Sequence, residues 1–336
     1  MKKEILLLLV ILVSWKTQAQ DILSRTQIFH AVEWQHPALS GVQENLSIDL
    51  MYRQALNGYG SESGYYQVGA FYPIKNSVGG ESDNSGFKIS NPDKAREIYN
   101  SKIARRKQGV GLQLNAIILG PLDRKEIKGF YAYHLPISEQ LNLSLGTSLK
   151  FQQNMIGFNN LSVRDEINDD FYQQIINSSE GKQTNLQLDI GTALYSKQFF
   201  FTFTAKSLFI TELNKNNTLE YLKDGESYSV LAGYKWKFNP DYSILPNAEV
   251  NYLTDYGTQF KGTIRFKYKE LMYVGAGMQN DLKWSGLIGL NIPGNIFLNY
   301  SYDYYTGYIS EFSNGVHEVS LSYLFNNQNA STPFTW

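Results

Sequence analysis

Four histidines, His30, His36, His134 and His317, are the first residues to test for chemistry in this sequence. None is spaced to place two ligands on one metal, and no H-E-x-x-H pattern occurs. No G-x-S-x-G elbow marks a serine nucleophile. With no cysteine in 336 residues there is no thiolate for catalysis, for metal binding or for a disulfide. Gly109-x-Gly111 and Gly275-x-Gly277 lack the third glycine of a dinucleotide loop and fall inside strand patterns, where glycine relieves crowding. Asp165, Glu166, Asp169 and Asp170 offer the hard oxygens of a calcium site without EF-hand spacing or glycine. A solvated acidic loop accounts for them better. No nucleophile and base stand together, so neither an enzyme nor a cofactor or metal site is expected. A net charge of −1 lacks the basic footprint of a nucleic-acid binder.

The charges that do show a pattern are Asp49, Arg53, Lys150, Asp189, Lys206, Lys235, Glu249, Lys261, Arg265, Asp303 and Glu318. Each falls on the polar side of a segment that alternates with period two. Leu141, Leu143, Leu145, Thr147, Leu149 and Phe151 share one side of such a segment, opposite Ser144, Ser148, Lys150 and Gln152. Phe260, Ile264, Phe266 and Tyr268 oppose Lys261, Thr263, Arg265 and Lys267. A Leu/Ile/Phe face opposite a Lys/Asp/Gln face is the pattern of a transmembrane barrel, with lipid outside and a polar lumen within. Mixed signs at this density suggest internal salt bridges or a polar plug rather than a single-sign channel.

The elements required are therefore the strands of a closed, all-β, antiparallel barrel, because an open edge in lipid would leave backbone groups unsatisfied. Fourteen segments qualify, with a tolerance of two: 45–56, 64–74, 107–119, 126–137, 139–154, 184–196, 198–209, 226–238, 241–253, 258–268, 270–280, 282–292, 295–305 and 315–325. Ser138, Lys197, Asn239-Pro240, Lys269 and Pro293-Gly294 mark very short turns, and the connections 155–183 and 210–225 are long and polar. Parity makes the short turns and both chain ends periplasmic, and makes 75–106 an unusually long periplasmic insertion. Aromatic pairs such as Tyr65-Tyr66 and Tyr304-Tyr305 are expected in girdles at the membrane interfaces. A soluble β-sandwich is the competing fold, but it needs no strands of membrane-crossing length.

Composition agrees with distributed hydrophobicity. The chain is 43% hydrophobic and 14% aromatic but only 18% charged, against about 25% charged in an average soluble domain. After residue 20 no run reaches the ~18 apolar residues of a spanning helix. Residues 1–19 read as a signal peptide: Lys2 and Lys3, then the apolar run Ile5 to Trp15, then Thr17-Gln18-Ala19 as a cleavage site. The remaining divisions are an N-terminal segment 20–44, the barrel 45–325 and a tail 326–336. An outer-membrane location follows.

The segment 20–44 carries His36-Pro37-Ala38-Leu39-Ser40-Gly41, which resembles the Asn-Pro-Ala-Tyr-Ala-Gly of the PorP/SprF family of Bacteroidetes outer-membrane proteins. Gly109-Val-Gly-Leu-Gln-Leu with Gly120-Pro121-Leu122, and Tyr131-Ala-Tyr-His134-Leu-Pro-Ile-Ser138, are similar to the family's early strands. Tyr300-Ser-Tyr-Asp303-Tyr304 and Gly315-Val-His317-Glu318-Val-Ser-Leu321 resemble its closing strands. His36 in place of Asn, Ser40 in place of Ala and the long 75–106 link depart from the pattern. The resemblance implies a barrel of the type IX secretion and gliding-motility apparatus, which binds, anchors or helps export a large adhesin with a type B C-terminal domain. Implied partners are that adhesin, components of the translocon or periplasmic ring, and outer-membrane lipid, with no nucleic acid. A channel for small or hydrophobic molecules is the alternative.

Two arrangements of the N-terminal segment stay open at this stage. It either folds back as a lumen plug, with Phe29, Trp34, His36 and Pro37 packed inside and Asp303, His317 and Glu318 bracing it, or those wall residues pair among themselves. Partner-binding loops are expected around Asp165, Asp169, Asp170, Lys215 and Tyr308.

Overall fold

The computed structural model describes residues 24–43, 45–54, 63–75, 106–138, 140–157, 167–170, 172–173, 182–213, 224–254, 257–269, 271–280, 283–293, 295–307, 310 and 315–325. The expected signal peptide 1–19, nearly all of the 75–106 insertion and the tail 326–336 lie outside them.

The alternation of the sequence becomes the two faces of one sheet. Its strands are β1 (Ser47–Gln54), β2 (Gly64–Lys75), β3 (Lys107–Leu119), β4 (Leu122–Pro136), β5 (Asn142–Ile156), β6 (Lys182–Tyr195), β7 (Phe199–Glu212), β8 (Ser227–Tyr234), β9 (Trp236–Lys237), β10 (Tyr242–Leu253), β11 (Gly257–Tyr268), β12 (Met272–Gln279), β13 (Lys283–Ile292), β14 (Ile296–Tyr305) and β15 (Val316–Leu324). Both β8 and β9 pair with β10, so these two are one stave interrupted at Lys235. The barrel therefore has fourteen antiparallel staves, each beside its sequence neighbour. It closes where β1 meets β15, from Ser47 opposite Leu324 to Arg53 opposite Glu318.

Outward side chains are apolar and open to the surroundings, as with Leu145 (54% exposed) and Ile264 (52%). Only lipid makes such a surface favourable over a whole sheet. Inward residues are polar and buried. Adjacent aromatics divide between the two faces, which corrects the expectation that both members of each pair join a girdle. Tyr66 and Tyr304 are exposed, whereas Tyr305 is buried and accepts a hydrogen bond from Arg53 at 3.2 Å. Successive residues of a strand point in opposite directions, so only one of a pair can reach lipid.

Side chains close the short turns at what we call the near end, where Ser47 and Leu324 lie. Asn239 Oδ1 accepts from the backbone N–H groups of Asp241 and Tyr242, both at 2.9 Å. Ser196 Oγ does the same for Gln198 and Phe199, both at 3.1 Å. The far end mixes long loops with tight turns, such as Gly120-Pro121 between β3 and β4. Register slips once, between Leu188 and Ile190 on β6 opposite β7. Ser207 takes a positive φ of 57° there, and its N–H donates to Asp189 Oδ1 at 2.9 Å. Asp189 also accepts from Ser148 at 2.9 Å and pairs with Lys128 at 2.6 Å, so an inward carboxylate holds the bulge.

Candidate functional site

Residues 24–43 run through the interior of the barrel and touch opposite walls. Two short 3-10 turns, Val32–Trp34 and Pro37–Leu39, shape the segment, and neither has a side-chain cap. Its polar backbone must therefore find partners on the wall. It does so at both ends.

The first contact lies on the closing seam. Arg53 has no solvent exposure, and its guanidinium donates to Asp303 Oδ2 at 2.7 Å and to Glu318 Oε2 at 2.8 Å. Lys283 Nζ stands 3.4 Å from Asp303. Two cations and two carboxylates balance, which a buried ionic cluster requires. The segment completes the cluster. Thr26 Oγ1 donates to Asp303 at 2.6 Å, while the N–H groups of Thr26 and Gln27 donate to Glu318 at 3.1 and 3.0 Å. Lys283 donates to Thr26 Oγ1 at 3.0 Å and to the Ser24 carbonyl at 3.3 Å. Asn299 donates to His30 Nδ1 at 3.1 Å, which leaves the His30 proton on Nε2, facing Ser322 Oγ at 3.1 Å.

The second contact is mainly apolar. Ile28, Val32, Ala38, Leu39 and Val42 form one cluster with Ala193, Tyr195, Phe200, Leu231 and Leu245 of the wall. Ala31 and Trp34 pack with Met51, Phe71 and Phe130. Phe29 meets Tyr273 edge-on at 5.6 Å, with the Arg265 guanidinium 3.5 Å from its ring centre. His36 Nδ1 lies 2.9 and 3.0 Å from the hydroxyls of Thr204 and Thr202. Burial pushes the His36 imidazole down to about 3, so it is neutral at physiological pH. Backbone carbonyls of the segment are taken up by the wall: Ser144 Oγ donates to Ala38 at 2.5 Å, and His134 Nε2 donates to Ser40 at 2.8 Å. Tyr195 fixes that tautomer by donating to His134 Nδ1 at 2.9 Å.

Two glycines of the wall make the approach possible. A Cβ on Gly109 would stand 1.8 Å from the Ser40 carbonyl oxygen, and one on Gly69 would stand 2.1 Å from Trp34 Nε1. Both positions are filled by the segment itself. Glu33 is wholly buried beside these contacts. Burial, with the Asp49 carboxylate nearby, pushes its carboxyl up to about 8.

A second element enters from the far end. Asp224, just before β8, accepts from Lys150 at 3.0 Å, lies 3.1 Å from the Arg124 guanidinium and accepts from Gln187 at 3.3 Å. Burial alone raises the Asp224 carboxyl, but Lys150 and Arg124 more than offset it and hold the group well below the usual carboxylate range. These donors belong to a regular patch on the inward face. Arg124, Asn154 and Gln183 form one cross-strand row of β4, β5 and β6. Glu126, Gln152 and Asn185 form the next, and Lys128, Lys150 and Gln187 the third.

Of the residues singled out in the sequence, Phe29, Trp34, His36 and Pro37 lie in the lumen, and Asp303 and Glu318 hold the segment. His317 does not. It is exposed on the outer face, its Nδ1 2.8 Å from the Tyr300 hydroxyl and its ring 5.0 Å from that of Tyr302. Glu318 faces inward, so its strand neighbour must face outward. Asp169 Oδ1 accepts from the Tyr172 N–H at 2.9 Å, and Asp170 is exposed. Asp165, Lys215 and Tyr308 lie outside the described residues. Among the described residues no three His, Asp or Glu side chains gather as a metal site.

Sequence reasoning missed Arg25, Thr26 and Gln27, the polar start of the luminal segment, and missed Arg124, Lys128 and Asp224. Arg124 lay outside the expected strand because β4 begins at Leu122 rather than at 126. Its continued alternation with Glu126 and Lys128 was the available signal.

A family model described as type IX secretion system membrane protein PorP/SprF matches residues 17–323, nearly the whole chain. The chain belongs to the PorP/SprF family. As a member with a closed barrel of fourteen staves, it is a multi-pass outer-membrane protein associated with type IX secretion. No curated protein matches it. Among solved structures it is similar to the outer membrane protein Omp33 of Acinetobacter baumannii (11% identity, TM-score 0.44, covering 85% of this chain and 100% of that one). It is also similar to the CymD monoaromatic hydrocarbon channel (11%, 0.48, 93% and 95%) and to the P. putida toluene transporter TodX (8%, 0.47, 90% and 94%).

Proposed function

We propose that this PorP/SprF protein is a binding and anchoring barrel. In this reading it holds, or helps to export, a large cell-surface adhesin with a type B C-terminal domain, in contact with other type IX components, and it catalyses no reaction. The supporting observation is the filled lumen: residues 24–43 bond to both walls through the Arg53 cluster and the Val32–Leu39 contacts. A segment so placed obstructs the path of a solute through the lumen, and it leaves the ends of the barrel available for protein contacts. The near end, with its short turns, is taken as periplasmic, together with the 75–106 insertion and the tail 326–336. The loops within 155–183, 210–225 and 306–314 are then extracellular and face the partner.

Mild-detergent purification from the native host tests this. Recovery of a much larger surface protein through its C-terminal region is the expected result. Recovery of the barrel alone, with adhesins still attached in a deletion strain, overturns it. In planar bilayers the purified protein should be silent, whereas steady single-channel steps would favour the channel reading.

A further inference from the structure

Residues 24–43 pass through the barrel in a fixed direction. Thr26 and Gln27 donate their N–H groups to Glu318, Gln27 also accepts from Ser320, and His30 faces Ser322 at 3.1 Å. Glu318, Ser320 and Ser322 are successive inward residues of β15, which runs from the far end to the near end. At the near end Lys107, the first residue of β3, donates to the Val42 and Gln43 carbonyls, and the Phe325 N–H donates to the Leu46 carbonyl at 3.0 Å. At the other extreme the Ser24 carbonyl accepts from Lys283 at 3.3 Å. Lys283 opens β13 at the far rim, where it pairs with Gln279 and Tyr305, the last residues of β12 and β14. The segment therefore starts beside the far rim and joins β1 at the near end.

We infer that the chain ahead of Ser24 leaves the barrel through the far mouth, so that Gln20, the first residue after the expected cleavage, stands at the opposite end from the tail 326–336. Reach favours this route. Gln20 is four residues before Ser24, about 14 Å of fully extended chain. The wall from Glu318 to Leu324 is about 20 Å long along the strand, and the lumen beside it is occupied by Gln27, Phe29 and His30. An even number of staves alone leaves both chain ends on one side, and the threaded segment parts them. The sidedness rests on the anchoring function above, which makes the far end extracellular. The leading residues Gln20-Asp21-Ile22-Leu23 then join the long loops in the surface offered to the secreted partner.

The native chain has no cysteine, so Asp21→Cys and Asn329→Cys each introduce a single thiol. Both are read by gel shift with a polyethylene-glycol maleimide too large to cross the outer membrane. On intact cells Asp21→Cys should shift and Asn329→Cys should not, and after permeabilisation both should shift. Mass spectrometry verifies cleavage after Ala19, and heat-modifiable gel migration verifies a folded barrel. Ile22→Cys replaces Asp21→Cys if either check fails. Both thiols reacting on intact cells, both requiring permeabilisation, or an Asp21→Cys thiol that never reacts overturns the inference. The reversed pattern, with Asn329→Cys alone reacting on intact cells, overturns display of the N-terminus at the cell surface. Polymer attached at position 21 should lower adhesin recovery at least fivefold. Unchanged recovery overturns the N-terminus as part of the partner-facing surface while the anchoring function stands. Opposed labelling without adhesin recovery from wild type keeps the exit through the far mouth and overturns the anchoring function.

Discussion

The luminal segment and the Asp224 loop enter the same barrel from opposite ends, and different forces hold them. The segment combines an ionic cluster without solvent exposure and three apolar clusters, each contributed by side chains from distant strands. Asp224 contributes one partly exposed carboxylate, and among the described residues it belongs to none of the three apolar clusters. Buried ionic groups that also carry hydrogen bonds are hard to exchange, because removing one partner leaves an uncompensated charge. A partly exposed pair exchanges readily, since water and salt substitute for the protein partner. The first contact is suited to permanent closure and the second to reversible occupation.

The comparison can be broken most severely at Arg53. Arg53→Ala leaves Asp303 and Glu318 buried without their shared cation, and should lower urea stability in micelles by about 3–5 kcal/mol. Single-channel openings should accompany it if the segment loosens. A stability loss under about 1 kcal/mol would show that the cluster does not hold the segment.

Glu33 gives the next effect, visible as a pH dependence. Its carboxyl titrates near 8 in the folded protein and near its ordinary value of 4.5 when unfolded. The folded state therefore binds the extra proton between those values, and stability falls as pH rises through that window, by about 1.4 kcal/mol per pH unit. Glu33→Gln should flatten this slope and make the variant more stable than wild type at pH 8. Parallel unfolding curves at pH 5 and pH 8 for both proteins would contradict the account.

Gly109→Val should cost about 1–3 kcal/mol by overpacking the backbone of Ser40, read as a lower midpoint in the same urea titration. Asp224→Asn should change stability by about 1 kcal/mol or less, far below Arg53→Ala. A comparable loss in the two would erase the distinction between the two contacts. His317→Phe, on the lipid face, should stay within about 0.5 kcal/mol, as measured by heat-modifiable migration.

The strands were legible because burial on one side and lipid on the other impose a strict period of two, and short turns announce themselves through Asn239, Ser138 and Pro293. Facing was legible to the extent that this period was applied. The expectation that Glu318 and His317 both brace the segment fails because neighbours on a strand cannot share a face. The bulge at Ser207 has no sequence mark, because the carboxylate that holds it, Asp189, is on another strand. Phe29, Trp34 and His36 stood out as large residues in a segment lacking periodicity. Thr26 and Gln27 did not, since their role comes from backbone N–H groups that every residue carries. Asp224 was illegible for a related reason: its partners are brought together by register across β4, β5 and β6.

The seam cluster also bears on the order of assembly. Thr26 and Glu318 are 292 positions apart in sequence, and Arg53 and Glu318 are 265 apart. Arg53 acquires its carboxylates only when the last two strands arrive, and the segment acquires its backbone partners in the same event. A chain that stalls before β14 keeps an unpaired guanidinium and an undocked leading segment. Closure of the wall and filling of the pore are thus one step, and an incomplete barrel is marked as incomplete by its own first strand.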